Sequence, residues 1–211
     1  MYAPELTIHS AVIAPHPSLP YAAQLGQELA DRLRVEGVAV EVIPSMSEAD
    51  LAKKQVDVFV AIGGDGTMLR AGHLCAPQGI PILGINVGQL GFLTELSRTG
   101  WMSRIPDLLA GKFQVEQRMM LHAEHWRGGK CLEAWEVLNE IVVCRGETVR
   151  PVQLIASLDG YPLATYIADG LIVATATGST AYALAVGGPI MPPELRNILI
   201  IPVAPHFSLN R

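Results

Sequence analysis

The string Gly63-Gly64-Asp65-Gly66-Thr67 follows a short apolar run and precedes a helical stretch. Glycine at three of four positions lets a backbone turn sharply and approach a ligand with no Cβ in the way. A helix beginning there offers unpaired N–H groups and a positive dipole end to an anion. Such a loop could cradle phosphate, although it is not a Walker A loop because no Gly-Lys-Ser/Thr follows. Asp65 is the unusual member. A carboxylate beside a polyphosphate is repelled unless it binds a metal ion or accepts a proton, and in phosphoryl transfer a positioned Asp can take the proton of the attacking hydroxyl. A second reading makes Asp65 or Thr67 simply the N-cap of a helix, and the string alone does not choose.

Two further clusters carry polar groups into apolar surroundings. Asp169-Gly170 leads through an apolar strand into Thr175-Ala176-Thr177-Gly178-Ser179-Thr180-Ala181-Tyr182, and then to Gly187-Gly188-Pro189. Hydroxyls and N–H groups at such a turn can hold sugar hydroxyls or phosphates, and Tyr182 can stack on a base or donate a hydrogen bond. A buried Ser/Thr turn in a β domain explains the same residues. In Leu138-Asn139-Glu140-Ile141-Val142 two polar residues interrupt a strand. Alternation turns one of them inward unless a bulge intervenes, and an inward amide or carboxylate needs partners that ribose or nicotinamide could supply. A hairpin end would serve equally. Gly84, Gly88 and Gly91 with Asn86 suggest a second tight backbone passage that could line the same cleft. His122 and His125, three apart in a strand-like run, fall on opposite faces and are expected at the surface, not on a shared metal. No Ser-His-Asp or Cys-His signature is present.

The elements that must position these residues change character along the chain. Ile8 to Ala14, Val38 to Ile43, Asp57 to Ile62 and Ile80 to Ile85 read as buried strands. Between them, Pro20 to Glu36 repeats Leu25, Leu29 and Leu33 as an amphipathic helix stopped by Gly37. Ser47 to about Lys54 and Met68 to Cys75 complete the helices. This alternation predicts an α/β N-terminal domain, residues 1–112, with a parallel sheet and helices on both faces. After Lys112, strand-like alternation within Gln114 to Trp126, Leu132 to Cys144 and Val152 to Tyr166 predicts a β-rich C-terminal domain, residues 113–211. Arg127-Gly128-Gly129-Lys130 and Asp159-Gly160 are its hairpin turns.

Composition narrows the function classes. Half of the 211 residues are hydrophobic and 17% are charged, which excludes a disordered chain. Fifteen Lys and Arg against 20 Asp and Glu leave a net charge of −5, so no basic surplus exists for a nucleic-acid backbone or an anionic membrane. Any phosphate must be held by a local site. The uncharged stretches Ala71 to Thr94 and Gly170 to Pro193 contain too many Pro, Gly and Thr residues for lipid-facing helices. No signal peptide is visible, and three scattered cysteines (Cys75, Cys131, Cys144) fit buried thiols in a reducing, cytoplasmic compartment.

In this order the strings resemble the NAD kinase family. The resemblance rests on Gly-Gly-Asp-Gly-Thr at 63–67, Asn-x-Gly-x-Leu-Gly-Phe-Leu-Thr at 86–94, and Arg118 to Leu121. It continues through Asn139-Glu140, Asp169-Gly170 to Tyr182, Gly187-Gly188-Pro189 and Pro202 to Arg211. Diacylglycerol kinases and phosphofructokinases carry loops like the first, and the long block from Asp169 to Pro189 separates them. The resemblance implies transfer of the ATP γ-phosphate to the 2′-hydroxyl of the adenosine ribose of NAD. It makes Asp65 the proton acceptor and lets the backbone at Gly66 approach the dinucleotide. It places Arg70 near a phosphate, Asn139 and Glu140 on ribose or adenine, Arg150 on the ligand, and Asp169 toward the nicotinamide half. Thr180, Ala181, Tyr182, Ala183, Leu184 and Ala185 would line the adenosine pocket. Mg²⁺ or Mn²⁺ would accompany ATP, and a homo-oligomer is implied, with inorganic polyphosphate left open as a donor. A non-catalytic NAD-binding module, or a lipid or sugar kinase sharing the first loop, are the competing readings. Ala176 stands where the family usually has Pro. Further β-strands are implied beyond Arg211, so residues 113–211 are expected to be part of a larger domain.

Overall fold

The computed structural model describes residues 7–43, 51, 55–88, 91–147 and 150–206, which fall into two compact units, Met1–Val115 and Glu116–Arg211. In the first, the elements are β1 (Ser10–Pro15), α1 (Pro20–Val35), β2 (Ala39–Val42), β3 (Val58–Gly63), α2 (Asp65–Cys75), β4 (Ile82–Asn86), β5 (Leu96–Ser97) and α3 (Trp101–Leu109). The strands form one parallel sheet in the order β2-β1-β3-β4-β5. All six residues of the central β3 are buried, which is why it reads as an unbroken apolar run. On one face Ile13, Val60 and Ile62 pack with Leu25, Leu29 and Leu33 of α1 and with Trp101 and Ile105 of α3. On the other, Val12, Phe59 and Ala61 meet Met68, Ala71 and Leu74 of α2. Helices therefore cover both faces, as the alternation predicts.

Three details differ from expectation. Helix α2 begins at Asp65, not Met68, because Gly64 is extended (φ −106°, ψ −169°) and completes the turn from strand to helix by itself. Residues 101–109 form a helix that the sequence pattern hides. Its buried Trp101 and Ile105 are one turn apart, but Pro106 lies inside it and removes a donor that a helix normally uses. Cys75 is buried, and burial pushes its thiol up to about 12, whereas Cys144 is exposed, so the expectation of buried thiols fails there. The helix expected over Ser47 to Lys54 lies outside the described residues except for Leu51, which is buried.

The second unit is antiparallel. Its elements are β6 (Leu121–Arg127), β7 (Lys130–Val137), β8 (Glu140–Cys144), β9 (Val152–Leu158), β10 (Tyr161–Ala168), β11 (Gly170–Ala174), a 3₁₀ turn (Thr177–Thr180), α4 (Tyr182–Ala185) and β12 (Leu199–Val203). They make the hairpins β6–β7 and β9–β10 and the sheet β12-β11-β8. Both hairpin turns use left-handed pairs, Gly128 and Gly129 (φ 57° and 77°) and Asp159 and Gly160 (φ 50° and 82°), the geometry that matches strand twist. The run Leu132 to Cys144 breaks at Leu138–Asn139, where the chain leaves β7 and enters a different sheet as β8. Polar residues interrupt that run because the chain changes sheets there.

The β11 strand holds this unit together. Ile172 and Ala174 are buried against Ala183, with Val186, Leu199, Ile201 and Val203 around them. Gly170 faces Cys144 across the ladder, and a Cβ on it would lie 2.9 Å from the Val143 carbonyl oxygen and 3.1 Å from the Cys144 Cβ. Among the described residues no helix is long and apolar enough to cross a membrane. Replacing Gly170 with Ala should destabilise the protein by about 1–3 kcal/mol, the usual range for forcing a methyl group into packed surroundings. Gly146→Ala, where a Cβ meets nothing within 4 Å, should leave the urea midpoint unchanged. Equal midpoints for the two variants would contradict this close approach.

Candidate active site

Asp65 is the first residue of α2, and the helix has no side-chain N-cap; Gly64 occupies that position. The capping alternative for Asp65 and Thr67 is therefore not what the structure shows. The Asp65 carboxylate instead reaches the chain 27 residues on. Oδ2 accepts the backbone N–H of Phe92 at 3.1 Å, and Oδ1 accepts that of Leu93 at 3.1 Å. Gly91 lies against the carboxylate, and a Cβ there would collide with it. The two glycine-rich passages thus meet, and the acid joins them. The second passage is braced from within: Asn86 Oδ1 accepts the N–H of Gly88 at 2.7 Å, and Asn86 Nδ2 donates to Thr94 Oγ1 at 3.2 Å.

The three glycines of the first loop have different jobs. A Cβ on Gly63 would strike the side chain of Thr67, so this glycine permits packing of strand against helix. Gly64 and Gly66 are exposed, with nothing within 4 Å of where a Cβ would stand. They leave the backbone beside Asp65 open. An ionised carboxylate offers about four acceptor positions, so two N–H bonds leave it able to accept another donor. Phe92, exposed to 62%, stands in the loop that binds Asp65, and sequence reasoning did not single it out. Arg70 is exposed; five residues along an α-helix, it lies about 140° around the axis from Asp65.

In the second unit the bend at Leu138–Asn139 and the turn after β11 interlock. Thr175 Oγ1 donates to the Leu138 carbonyl at 2.6 Å and accepts the N–H of Gly178 at 3.0 Å, while the Thr175 N–H donates to the Asn139 carbonyl at 2.9 Å. Gly178 packs on that same carbonyl, leaving no room for a Cβ. Ser179 Oγ donates to Ala176 O at 2.6 Å and accepts the Met191 N–H at 2.9 Å; Thr180 Oγ1 donates to Thr177 O at 3.2 Å. For these three hydroxyls the buried-turn explanation is correct.

Three polar atoms at this junction are buried without a protein partner: Asn139 Oδ1, Glu140 Oε2 and Thr177 Oγ1. Each such atom costs about 1–3 kcal/mol when nothing satisfies it, so a group of them around one turn points to a ligand. Thr177 belongs to the hydroxyl cluster marked in the sequence but lies outside the stretch Thr180 to Ala185 expected to line the pocket. Among the residues expected to line a pocket, Tyr182 is 42% exposed and Leu184 and Ala185 are also exposed, but Ala183 is fully buried in the β11 core. Asp169 stands at the opposite end of β11 from this turn, roughly 20 Å away at strand rise, where its carboxylate meets Arg145 Nε at 3.2 Å. Arg150 is exposed just ahead of β9. His122 and His125 are both exposed, and His122 bridges Glu136 and Glu124 across the β6–β7 hairpin.

Burial pushes the Glu140 carboxyl above its ordinary value, partly offset by the Tyr182 N–H that it accepts. A carboxyl raised in the folded state binds its proton more tightly there than in the unfolded chain. It therefore costs no stability at low pH, where both states are protonated, and its full cost appears above the folded-state value. Glu140→Gln should melt higher than the parent at pH 8, and the difference should close as pH falls to the ordinary carboxyl range. A difference independent of pH would contradict the burial cost.

Residues 15–113 match the ATP-NAD kinase N-terminal domain, and residues 138–211 match the ATP-NAD kinase C-terminal domain. The NAD kinase of Symbiobacterium thermophilum is 41% identical over 202 residues, which cover 91% of this chain and 71% of that protein. The NAD kinase of Heliobacterium modesticaldum is 39% identical over 197 residues, covering 89% and 69%. An NAD kinase from Archaeoglobus fulgidus, solved in complex with ATP, superposes with a TM-score of 0.72 at 30% identity, over 96% of this chain and 74% of that one. Yeast NADH kinase, solved with NADH, gives 0.80 at 23% identity, over 97% of this chain and 68% of that one, a likeness of fold. Matched in both of its units and sharing some two fifths of its residues with bacterial relatives over most of its length, this chain belongs to the NAD kinase family.

Proposed function

We infer that the chain transfers the γ-phosphate of ATP to the 2′-hydroxyl of the adenosine ribose of NAD, making NADP. The observation that carries the chemistry is the Asp65 carboxylate, held by the Phe92 and Leu93 N–H groups beside the open backbone of Gly64 and Gly66. A carboxylate oriented by two fixed donors, with acceptor capacity left, can receive the proton of an attacking hydroxyl without reorganising. Gly66 lets the dinucleotide approach the backbone, and the first turn of α2 faces an anion with its dipole. Residues 1–112 supply these parts, and residues 113–211 hold the dinucleotide.

In the second unit, Asn139, Glu140 and Thr177 offer their unpartnered atoms to the adenosine half of NAD, whose ribose hydroxyls and adenine amino group are the donors they lack. Tyr182 presents an exposed ring to the base, and Thr180 to Ala185 frame the pocket by backbone. The buried Ala183 contributes only its main chain. Asp169 serves the nicotinamide half, while Arg70 and Arg150 are exposed cations available to phosphates. Among the described residues, no group of three His, Cys, Asp or Glu side chains could hold a metal ion. The divalent cation of this reading, Mg²⁺ or Mn²⁺, accompanies ATP and would neutralise its triphosphate. A homo-oligomer in the cytoplasm belongs to the same reading.

Asp65→Asn keeps an oxygen for one of the two N–H groups but loses the base. It should lower the rate of NADP formation by about 10²–10⁴-fold, the span that general base catalysis supplies, with NAD affinity within a few-fold of the parent. A turnover like the parent's would remove Asp65 from the mechanism. Thr177→Val deletes a buried hydroxyl that has no protein partner, so the ligand-free protein should unfold at the same urea concentration or higher. NAD affinity, read by calorimetry, should fall about tenfold, as expected for one lost hydrogen bond. Unchanged NAD affinity would show that this hydroxyl does not meet the substrate.

A further inference from the structure

Arg145 and Asp169 are cross-strand neighbours. The β8–β11 ladder pairs Gly170 with Cys144, and the next step outward puts Asp169 opposite Arg145. The backbone confirms the step, because the Arg145 N–H donates to the Asp169 carbonyl at 2.9 Å. The side chains then meet, Arg145 Nε to Asp169 Oδ1 at 3.2 Å, with 29% and 38% of each side chain exposed. Two features keep the pair in register. Gly170 allows β11 to approach β8 where any side chain would strike Val143, and the Asp169 N–H is held by the Val203 carbonyl at 2.9 Å. The ion pair therefore follows from the sheet, not from the chance meeting of two surface side chains.

The two redox forms of the substrate differ at the group that Asp169 is assigned to face. The oxidised nicotinamide ring carries a positive charge, and the reduced ring is neutral. A bare carboxylate beside the ring would favour the oxidised form, because opposite charges a few ångströms apart in a partly shielded site shift an equilibrium about tenfold or more. A guanidinium already on that carboxylate cancels most of its field. We propose that Arg145 is a positioning residue that sets how far this site distinguishes oxidised from reduced dinucleotide, by fixing the Asp169 carboxylate and balancing its charge. This rests on the assignment of Asp169 to the nicotinamide half. On this account the paired site accepts both forms with little preference, and the charge of Arg145, rather than its packing, is what matters.

The test uses the whole chain and measures dissociation constants for NAD⁺ and NADH, the first by calorimetry and the second by nicotinamide fluorescence. Arg145→Met keeps the length of the stem and removes the charge. It should raise the ratio of the NADH to the NAD⁺ constant by about tenfold, and Arg145→Lys should return the ratio to within about threefold of the parent's. A variant that weakens both forms by one common factor, or a Lys variant that behaves like Met, would overturn the proposal, since a packing defect acts on both forms alike. Asp169→Asn separates this from the underlying assignment. If Asp169→Asn leaves both constants unchanged, the assignment of Asp169 fails and the proposal with it. If Asp169→Asn changes them while Arg145→Met leaves their ratio unchanged, the assignment stands and only the role of Arg145 is lost. Urea unfolding of each variant confirms that the comparison is between folded proteins.

Discussion

Two hydrogen bonds join the two glycine-rich passages of the first unit, those from the Phe92 and Leu93 N–H groups to the Asp65 carboxylate. They tie the loop after β3 to the loop after β4, adjacent strands of a parallel sheet whose carboxyl ends present both loops on one edge. Everything around them serves that contact. Gly91 has no side chain because the carboxylate fills the space, Gly63 has none because Thr67 does, and Gly64 turns the strand into the helix that carries Asp65. Buried β3, packed on both faces, is the rigid support from which the acid projects.

The second unit solves a different problem, holding several polar groups in an apolar setting. Its answer divides them. Thr175, Ser179 and Thr180 spend their hydroxyls on the backbone and so lock the turn to the Leu138–Asn139 bend. Asn139, Glu140 and Thr177 each keep an atom unpartnered inside that locked frame. Rigid, internally satisfied neighbours hold the unsatisfied ones in place, which is preorganisation achieved at a cost in stability. The raised Glu140 carboxyl is the titratable sign of that cost.

Much of this was legible in the residues. The parallel sheet followed from continuous apolar runs separated by amphipathic stretches, and both hairpins followed from turn pairs that need left-handed backbone. Asp65 was legible as an acid in a glycine-rich loop. Its partners were not, because a side chain accepting main-chain N–H groups 27 and 28 residues away leaves no trace in residue type. Helix α3 was hidden by Pro106, and Thr177 was hidden among hydroxyls that look alike until their bonds are traced. Arg145 carried no signal at all. Its meaning depends on strand register, which sets it opposite Asp169 from 24 positions away.

The chain spans about 70% of the length of the bacterial relatives it matches, so its own turnover is the quantity of interest. The most direct measurement is a phosphorus NMR spectrum of this 211-residue chain incubated with ATP, a divalent cation and NAD. A new phosphomonoester resonance from the 2′ position of the adenosine ribose, growing in step with ADP, is the expected result. Consumption of ATP that releases only inorganic phosphate, or a phosphomonoester at any other position, would contradict it.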